Sequence, residues 1–349
     1  MCATNAVDSF KEDVTDFEHL YTSMQKCKKG VLWKDSVASF YLNGIERILK
    51  LERELTSGTY KARPPKTFMV YVPKTRNIVS ISFRDRVYQR ALNDYIIYPV
   101  MTKSFIYDNW ACQKGKGTDG ARERLKDFMH RHYRKHGNKG YILKIDIKGY
   151  YPNMSHKAAE TLFKSKLPPE IYKRAERILR EQYNGDKGYN PGSQMIQIAG
   201  ISLLDRVDHY IKEKLRIKYY LRYMDDFVLI HEDKGYLEEC LEDIKEKLKD
   251  VGCTVSKDKT YITTLKDGVD FLGFRYRLTE TGKVLLLINT NNIRIERTRL
   301  RHMARKVQHG QATKEKADEM YRAWKAHASK GNTYKALQRM ENYYNKLWR

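Results

Sequence analysis

The 349-residue chain has no apolar run near the roughly 18 residues that a membrane-crossing helix requires; Val284 to Ile288 is about the longest. Its first thirty residues, with Asp8, Glu12, Asp13, Asp16 and Glu18, lack the apolar centre of a signal peptide. A cytoplasmic protein with no membrane partner is therefore expected. Cysteine is scarce: Cys2, Cys27, Cys112, Cys240 and Cys253 are an odd number at no metal-ligand spacing. They indicate neither a disulfide framework nor a zinc knuckle. Internal repeats and low-complexity tracts are missing too, and with them any case for a solenoid or a long linker. Acidic residues are in deficit, 43 Asp and Glu against 67 Lys and Arg, for a net charge of +24. That excess costs self-repulsion unless a polyanion offsets it, and nucleic acid is the commonest such partner; the bland alternative is a protein kept soluble by its charge. With 41% hydrophobic and 32% charged residues there is material for a buried core. The length leaves room for about two domains at roughly 150 residues each, or for one large domain with an appended piece.

The apolar periodicity divides the chain. Residues 8 to 57 alternate apolar and charged positions at helical spacing and stop at Ser57 and Gly58, which predicts a helical N-terminal section. Period-two alternation over 67 to 82 (Phe68, Val70, Val72; Ile78, Val79, Ile81) predicts a hairpin whose basic tip is Pro73 to Asn77. A helix is expected from Phe83 to about Val100, then a Gly-rich stretch from Gln113 to Gly120 and a basic helix to about His136. Tyr141 to Asp146 reads as a buried strand ending in an acid, and Ser155 as the cap of the next helix. The polar loop Tyr183 to Pro191 leads into a long helix ending near Leu215. Strands Ile217 to Tyr223 and Asp226 to His231 flank a tight Met-Asp turn. A helix from Tyr236 to Val251 stops at Gly252. Strands at Tyr261 to Thr264, Val269 to Tyr276 and Lys283 to Asn289 precede a basic helical tail.

Asp146 at its strand end and the hairpin Tyr223-Met224-Asp225-Asp226 are the most informative features. A carboxylate at the end of a buried strand is costly unless it meets a cation. If the two strands are neighbours, Asp146 and Asp225 converge, and their repulsion calls for a divalent ion; hard oxygen ligands beside phosphates point to Mg²⁺. Two such ions, roughly 3.5–4 Å apart, would suit in-line nucleotidyl transfer, one at a primer hydroxyl and one at the triphosphate. An Asp-Asp pair alone more often marks a surface turn. Here the flanking Leu221, Tyr223, Phe227, Val228 and Ile230 place it at the tip of a buried hairpin.

Tyr223-Met224-Asp225-Asp226, preceded by Ile145-Asp146-Ile147-Lys148-Gly149-Tyr150-Tyr151, resembles the palm of a reverse transcriptase. The likeness runs in the family's order over roughly residues 58 to 349. Val72-Pro73-Lys74-Thr75-Arg76 resembles the fingers hairpin that grips the triphosphate, and Phe83-Arg84-Asp85-Arg86-Val87-Tyr88-Gln89 the helix opening after it. Ala111 to Thr118 is similar to the Gly-rich stretch of bacterial members. Thr254 to Thr260 resembles the motif with a mobile lysine, and Phe271-Leu272-Gly273-Phe274 the turn that supports the primer end. The resemblance implies a mixed α/β (α+β) right-hand polymerase: a helical section over 1–57, fingers over 58–140, a palm over 141–276 with a fingers insertion around 157–190, and a helical thumb over 277–349.

The implied roles follow. Asp146, Asp225 and Asp226 would be catalytic and hold two Mg²⁺ ions with the Ile147 carbonyl. Lys74 and Arg76 would meet dNTP phosphates. Tyr151 matches the ring beneath the sugar that excludes a ribose hydroxyl, although Tyr150 and Tyr151 read equally well as core aromatics. Lys259, ahead of Lys257, would protonate the leaving pyrophosphate, against the plain reading of a surface lysine. Arg294, Arg297, Arg301 and Arg305 share one helix face and Leu300, Met303 and Val307 another, which suits a thumb along an RNA/DNA duplex; Gly273 would support the primer. Trp324, Tyr334, Tyr343, Tyr344 and Trp348 are read as thumb core. His130, His132 and His136, among Arg131, Arg134 and Lys135, are read as an RNA-facing basic end rather than a metal site.

After the thumb no RNase H, integrase or zinc-bearing endonuclease domain is expected. Met224, and the absence of the thumb Val-Thr-Gly element, separate the chain from retron enzymes. The layout, with Met224 and Gln197, is most similar to the reverse transcriptases of diversity-generating retroelements, which copy a template RNA with errors at adenines. In the stretch Pro191-Gly192-Ser193-Gln194-Met195-Ile196-Gln197, Gly192 and Gln197 agree with that family's nucleotide-side motif, while Pro191 and Ile196 depart. The departure leaves open an antiphage-defence enzyme copying a noncoding RNA. A nonenzymatic RNA-binding scaffold is the alternative from another class, and an accessory basic protein is an open partner.

Overall fold

A computed structural model describes residues 14–71, 75–183 and 185–348. In chain order the elements are α1 (Phe17–Cys27), α2 (Asp35–Leu42), α3 (Gly44–Thr56), β1 (Lys66–Val70), β2 (Arg76–Ser80), α4 (Phe83–Leu92), α5 (Tyr98–Thr102), α6 (Thr118–His136) and β3 (Tyr141–Asp146). They continue with α7 (Tyr150–Asn153), α8 (His156–Lys166), α9 (Pro169–Gln182), α10 (Gln194–Leu203), α11 (Asp205–His209), β4 (Tyr219–Tyr223), β5 (Asp226–His231) and α12 (Lys234–Asp250). The last are β6 (Tyr261–Thr264), β7 (Val269–Phe271), β8 (Phe274–Leu278), β9 (Val284–Ile288), α13 (Thr290–Gln308), α14 (Lys314–Ala328) and α15 (Tyr334–Lys346).

These elements form two compact units. One comprises the described residues through Lys114, Ile147–Tyr210 and Lys245–Val255; the other Gly115–Asp146, Ile211–Ile244 and Ser256 onward. In the first unit the apolar helix α10 packs against α4, α5 and α8, and β1 and β2 form a separate antiparallel hairpin. Asp85, in the first turn of α4, is fully buried and accepts from Tyr60 Oη at 2.8 Å, Ser82 Oγ at 2.6 Å and Arg63 N at 3.0 Å. Ser82 and Asp85 thus cap α4 reciprocally, while the same carboxylate anchors the segment leading to β1.

The second unit is built on the antiparallel sheet β4-β5-β3-β6. Ile142, Leu143 and Ile145 of β3 and Phe227 to Ile230 of β5 are buried, so these central strands are covered on both faces and need a continuous apolar run. A three-stranded sheet, β7-β8-β9, and the helices α6 and α13 to α15 belong to the same unit, with α12 as far as Ile244. Leu300, Tyr321, Met340 and Tyr344 form the helical core, with Ile293, Trp324, Tyr343 and Trp348 packed against it.

Local signals placed most boundaries. Tyr141 to Asp146 is β3, Ser155 Oγ accepts from Ala158 N as the cap of α8, and Gly252 stands at φ 75° after α12. Four expectations are corrected. The strand pairing is displaced from the expected one: Arg76 and Asn77, expected in the tip, pair with Val70 and Met69. The helix from Phe83 relaxes into a π-helical turn at Asn93–Ile97, where Pro99 offers no N–H and crowds the carbonyl four residues back. The helix towards Leu215 breaks at Leu204, with a second π-helical turn at Tyr210–Lys214. Val269 to Tyr276 is two strands rather than one: Leu272 and Gly273, at φ 45° and 90°, fold β7 back on β8 and pair Phe271 with Phe274.

Candidate active site

The sheet register brings the acids together. Asp146, the last residue of β3, lies opposite Asp226, the first of β5, and Tyr223 of β4 faces Asp226 across the hairpin. Met224 and Asp225 form the two-residue turn, with Met224 at φ 56°. Arg222 is fully buried beneath it and donates from Nη1 to the Met224 carbonyl at 2.9 Å. The strained turn is therefore held from inside, by a residue the apolar pattern of β4 did not single out.

The electrostatics are those of carboxylates crowded at a strand end. Burial, then the neighbouring Asp226 and Asp146 charges, push the Asp225 carboxyl above the usual range, and Lys259 opposes the shift. Lys259 Nζ lies 2.9 and 3.1 Å from the two Asp146 carboxylate oxygens. The hydrogen bond to Asp146 holds the lysine above its ordinary value. The loop carrying it is fixed to β3, since Ser256 N donates to the Asp146 carbonyl at 2.7 Å. Lys144 is buried and its Nζ sits 2.7 Å from Asp226 Oδ1. Sequence reasoning passed over Lys144, yet the signal was there: two residues before Asp146 on one strand, it must face the same side of the sheet.

Two ammonium groups thus stand against three carboxylates. This donor set, all hard oxygen with Lys259 as a stand-in cation on Asp146, fits a hard divalent metal ion.

The remaining expected residues are distributed differently. Ile147, next in the chain but in the first unit, is buried and bridges Val255. Tyr150 donates to the Gly200 carbonyl, and a Cβ at Gly200 would come 3.0 Å from Tyr151 Oη, so both tyrosines of α7 pack against α10. Gly192 N donates to Asn190 Oδ1 at 3.0 Å, and Gln197 Nε2 donates to the Pro191 carbonyl at 2.7 Å. Gly192 lines a cavity of about 300 Å³ with Lys29, Arg86 and Gln89; Gln197 lines a neighbouring one of about 240 Å³ with Arg90 and Cys112. Lys74 lies outside the described residues, and of Arg76 only the backbone, in β2, is described.

In the second unit Gly273 stands at φ 90°, and its carbonyl accepts from Asn292 Nδ2 at 3.2 Å. The buried Arg122 of α6 grips the preceding Leu272 carbonyl through Nε at 3.2 Å and Nη2 at 2.8 Å. That fork is a third contact the sequence did not announce. On α13, Arg294, Arg301 and Arg305 are exposed, whereas Arg297 is half-buried with its guanidinium 5.0 Å from the Tyr343 ring centre. The inner seam is also corrected: Leu300 is joined by Glu296 and Ala304, while Met303 and Val307 are only half-buried. Among the expected core aromatics Tyr334 is exposed, because it opens α15 before that helix turns inward.

Residues 64–276 match the family described as reverse transcriptase (RNA-dependent DNA polymerase). No curated protein matches the chain. Similar solved structures include a telomerase from Candida albicans in complex with the TWJ fragment of telomeric RNA, at 15% identity and a TM-score of 0.48. The likeness covers 68% of this chain and 49% of that one, so the chain spans about half the length of that relative. The mixed helices and antiparallel sheets are those of a right-hand polymerase fold. Because the family match takes in more than half of the residues, including β3 and the whole acidic hairpin, the chain belongs to the reverse transcriptase family.

Proposed function

We propose that this RNA-directed DNA polymerase makes cDNA from a dedicated RNA template, with Asp146, Asp225 and Asp226 as the ligands of two Mg²⁺ ions. The observation that carries the reading is the register of β3 against β5, which sets Asp146 beside Asp226 with Asp225 on the adjoining turn. The Ile147 carbonyl follows Asp146 directly and would add another oxygen. When bound, the ions supply charge neutralisation at the reacting phosphate and lower the pKa of a primer hydroxyl. The protein's share is positional: Arg222 holds the turn, Lys144 holds Asp226, and the sheet keeps three carboxylates together against their repulsion. Lys259, whose ammonium lies against Asp146, would give up that contact to a bound ion and would then serve as the proton donor to the leaving pyrophosphate. Lys74, Arg76, Tyr151, Gly192 and Gln197 would form the dNTP side, and the exposed arginines of α13 the duplex side.

We read the biological role as low-fidelity copying in a diversity-generating retroelement. Antiphage defence is the second reading, favoured by the link from Gln197 to the Pro191 carbonyl, which occupies an amide that would otherwise be offered to a nucleotide. The test is to purify the chain with its bound RNA, add Mg²⁺ and dNTPs, and sequence the cDNA beside an Asp225→Asn control. Substitutions at template adenines support the first reading, and faithful or repetitive cDNA from one RNA supports the second. Absence of any Asp225-dependent product defeats both and leaves the scaffold alternative.

A further inference from the structure

At the end of β5 away from the acidic turn, the second unit gathers another set of donors. His132 and His136 lie one turn apart on α6, and Glu232 follows the last residue of β5. One donor atom from each falls within 4.8 Å of the other two. Glu232 is six residues beyond Asp226, about 20 Å along an extended chain. The cluster is therefore separate from the polymerase acids.

The state of His132 points to a ligand. The ring is fully buried and its Nε2 lies 2.8 Å from the Lys139 carbonyl. A carbonyl only accepts, so Nε2 carries the proton and Nδ1 presents a bare lone pair. That Nδ1 is buried without a hydrogen-bond partner, a cost that an apolar ring would avoid. The chain closes tightly on the other side: a Cβ at Gly140 would lie 2.4 Å from Nε2. A histidine whose far nitrogen is fixed by a backbone carbonyl is oriented as metal-ligating imidazoles are.

The partners are at ligand spacing. His136 Nε2 is 3.6 Å from Glu232 Oε2; donors around a tetrahedral ion at about 2 Å sit roughly 3.3 Å apart. The His132 and His136 rings stack with centroids 4.9 Å apart. His231 Nδ1 accepts from Asp233 N at 3.1 Å, and its Nε2 lies 3.7 Å from Glu232 Oε2. Of the cationic neighbours that argued against a metal, Arg131 is paired with Asp127 at 2.9 Å, and Arg134 and Lys135 are exposed to solvent. The expectation of an RNA-facing histidine end does not suit a fully buried His132.

We propose that His132 Nδ1, His136 and Glu232 bind one divalent ion of the zinc class, pinning the C-terminal end of α6 to the end of β5. Two imidazoles and one carboxylate favour zinc over the harder Mg²⁺ expected of the all-oxygen cluster. A water would take the fourth position.

The test uses the full chain carrying Asp225→Asn, which weakens metal binding at the polymerase acids. After treatment with a chelator it is titrated with Zn²⁺ by calorimetry and with Co²⁺ by visible absorption. The expected result is one equivalent of Zn²⁺, and Co²⁺ bands of the intensity typical of four-coordinate sites. His136→Ala and Glu232→Gln, at less buried positions, should each weaken binding at least about tenfold with unchanged circular dichroism. Absence of Zn²⁺ binding, or binding that survives both substitutions undiminished, overturns the proposal.

Discussion

Asp225 differs from an ordinary surface aspartate because its burial, and then two neighbouring carboxylates, act on it together. Its folded pKa lies above the unfolded one, so the folded chain holds that proton more tightly. In the absence of metal, this carboxyl favours folding at low pH, and the contribution is lost as pH rises through the raised folded value. Asp225→Asn should therefore increase the Tm of the metal-free protein at neutral pH and flatten its fall between the unfolded and folded pKa values. The same variant should lose nucleotide incorporation by about 1,000-fold or more, equal to about 4 kcal/mol of transition-state stabilisation. A variant that retains incorporation would remove Asp225 from the chemistry.

Lys144 is the complementary case, a buried cation whose partner is Asp226. Lys144→Met keeps the side-chain volume and leaves that carboxylate without its ammonium. Urea unfolding should show a loss of about 2–4 kcal/mol. No change would mean that Asp226 is solvated in the absence of Lys144.

Helix α4 and the β7–β8 turn show how much an element's position depends on one polar centre. Asp85 accepts three hydrogen bonds in the interior, so Asp85→Ala orphans Tyr60 Oη and Arg63 N together. A cost of about 2–4 kcal/mol is expected by denaturant titration. At Gly273 the backbone stands at φ 90° and an added Cβ would be 2.9 Å from His327 Nε2. Gly273→Ala should lower stability by about 1–3 kcal/mol. If the turn supports a primer end, extension should fall further than RNA binding, which a filter-binding and extension pair would separate. Both features were half legible: Ser82-x-x-Asp85 and Leu272-Gly273 are local signals, but Tyr60 and Arg122 come from 25 and 150 residues away.

The chain's charge of +24 acts over distances that no single contact covers. Template affinity should fall steeply with salt, linearly in the logarithm of both quantities. Arg301→Ala and Arg305→Ala, both exposed on α13, should each reduce the slope by about 1 if they meet phosphates. Arg297→Ala should act on stability instead, because its guanidinium packs on Tyr343. A slope untouched by Arg301→Ala and Arg305→Ala would place the phosphate contacts on another face.

The acidic hairpin was readable before any fold was known, because alternation, a two-residue turn and an apolar flank act over a few neighbouring residues. Helix caps such as Ser155 and stops such as Gly252 were readable for the same reason. Long-range packing settled the rest: Asp146 opposite Asp226, Lys259 on Asp146, Arg122 on Leu272, and His132 sealed against Gly140 beside Glu232. Local propensity follows from the backbone and the nearest side chains. Charge pairing and burial follow from which distant segments share a low-dielectric interior, and that is set when the sheets and helices close on one another.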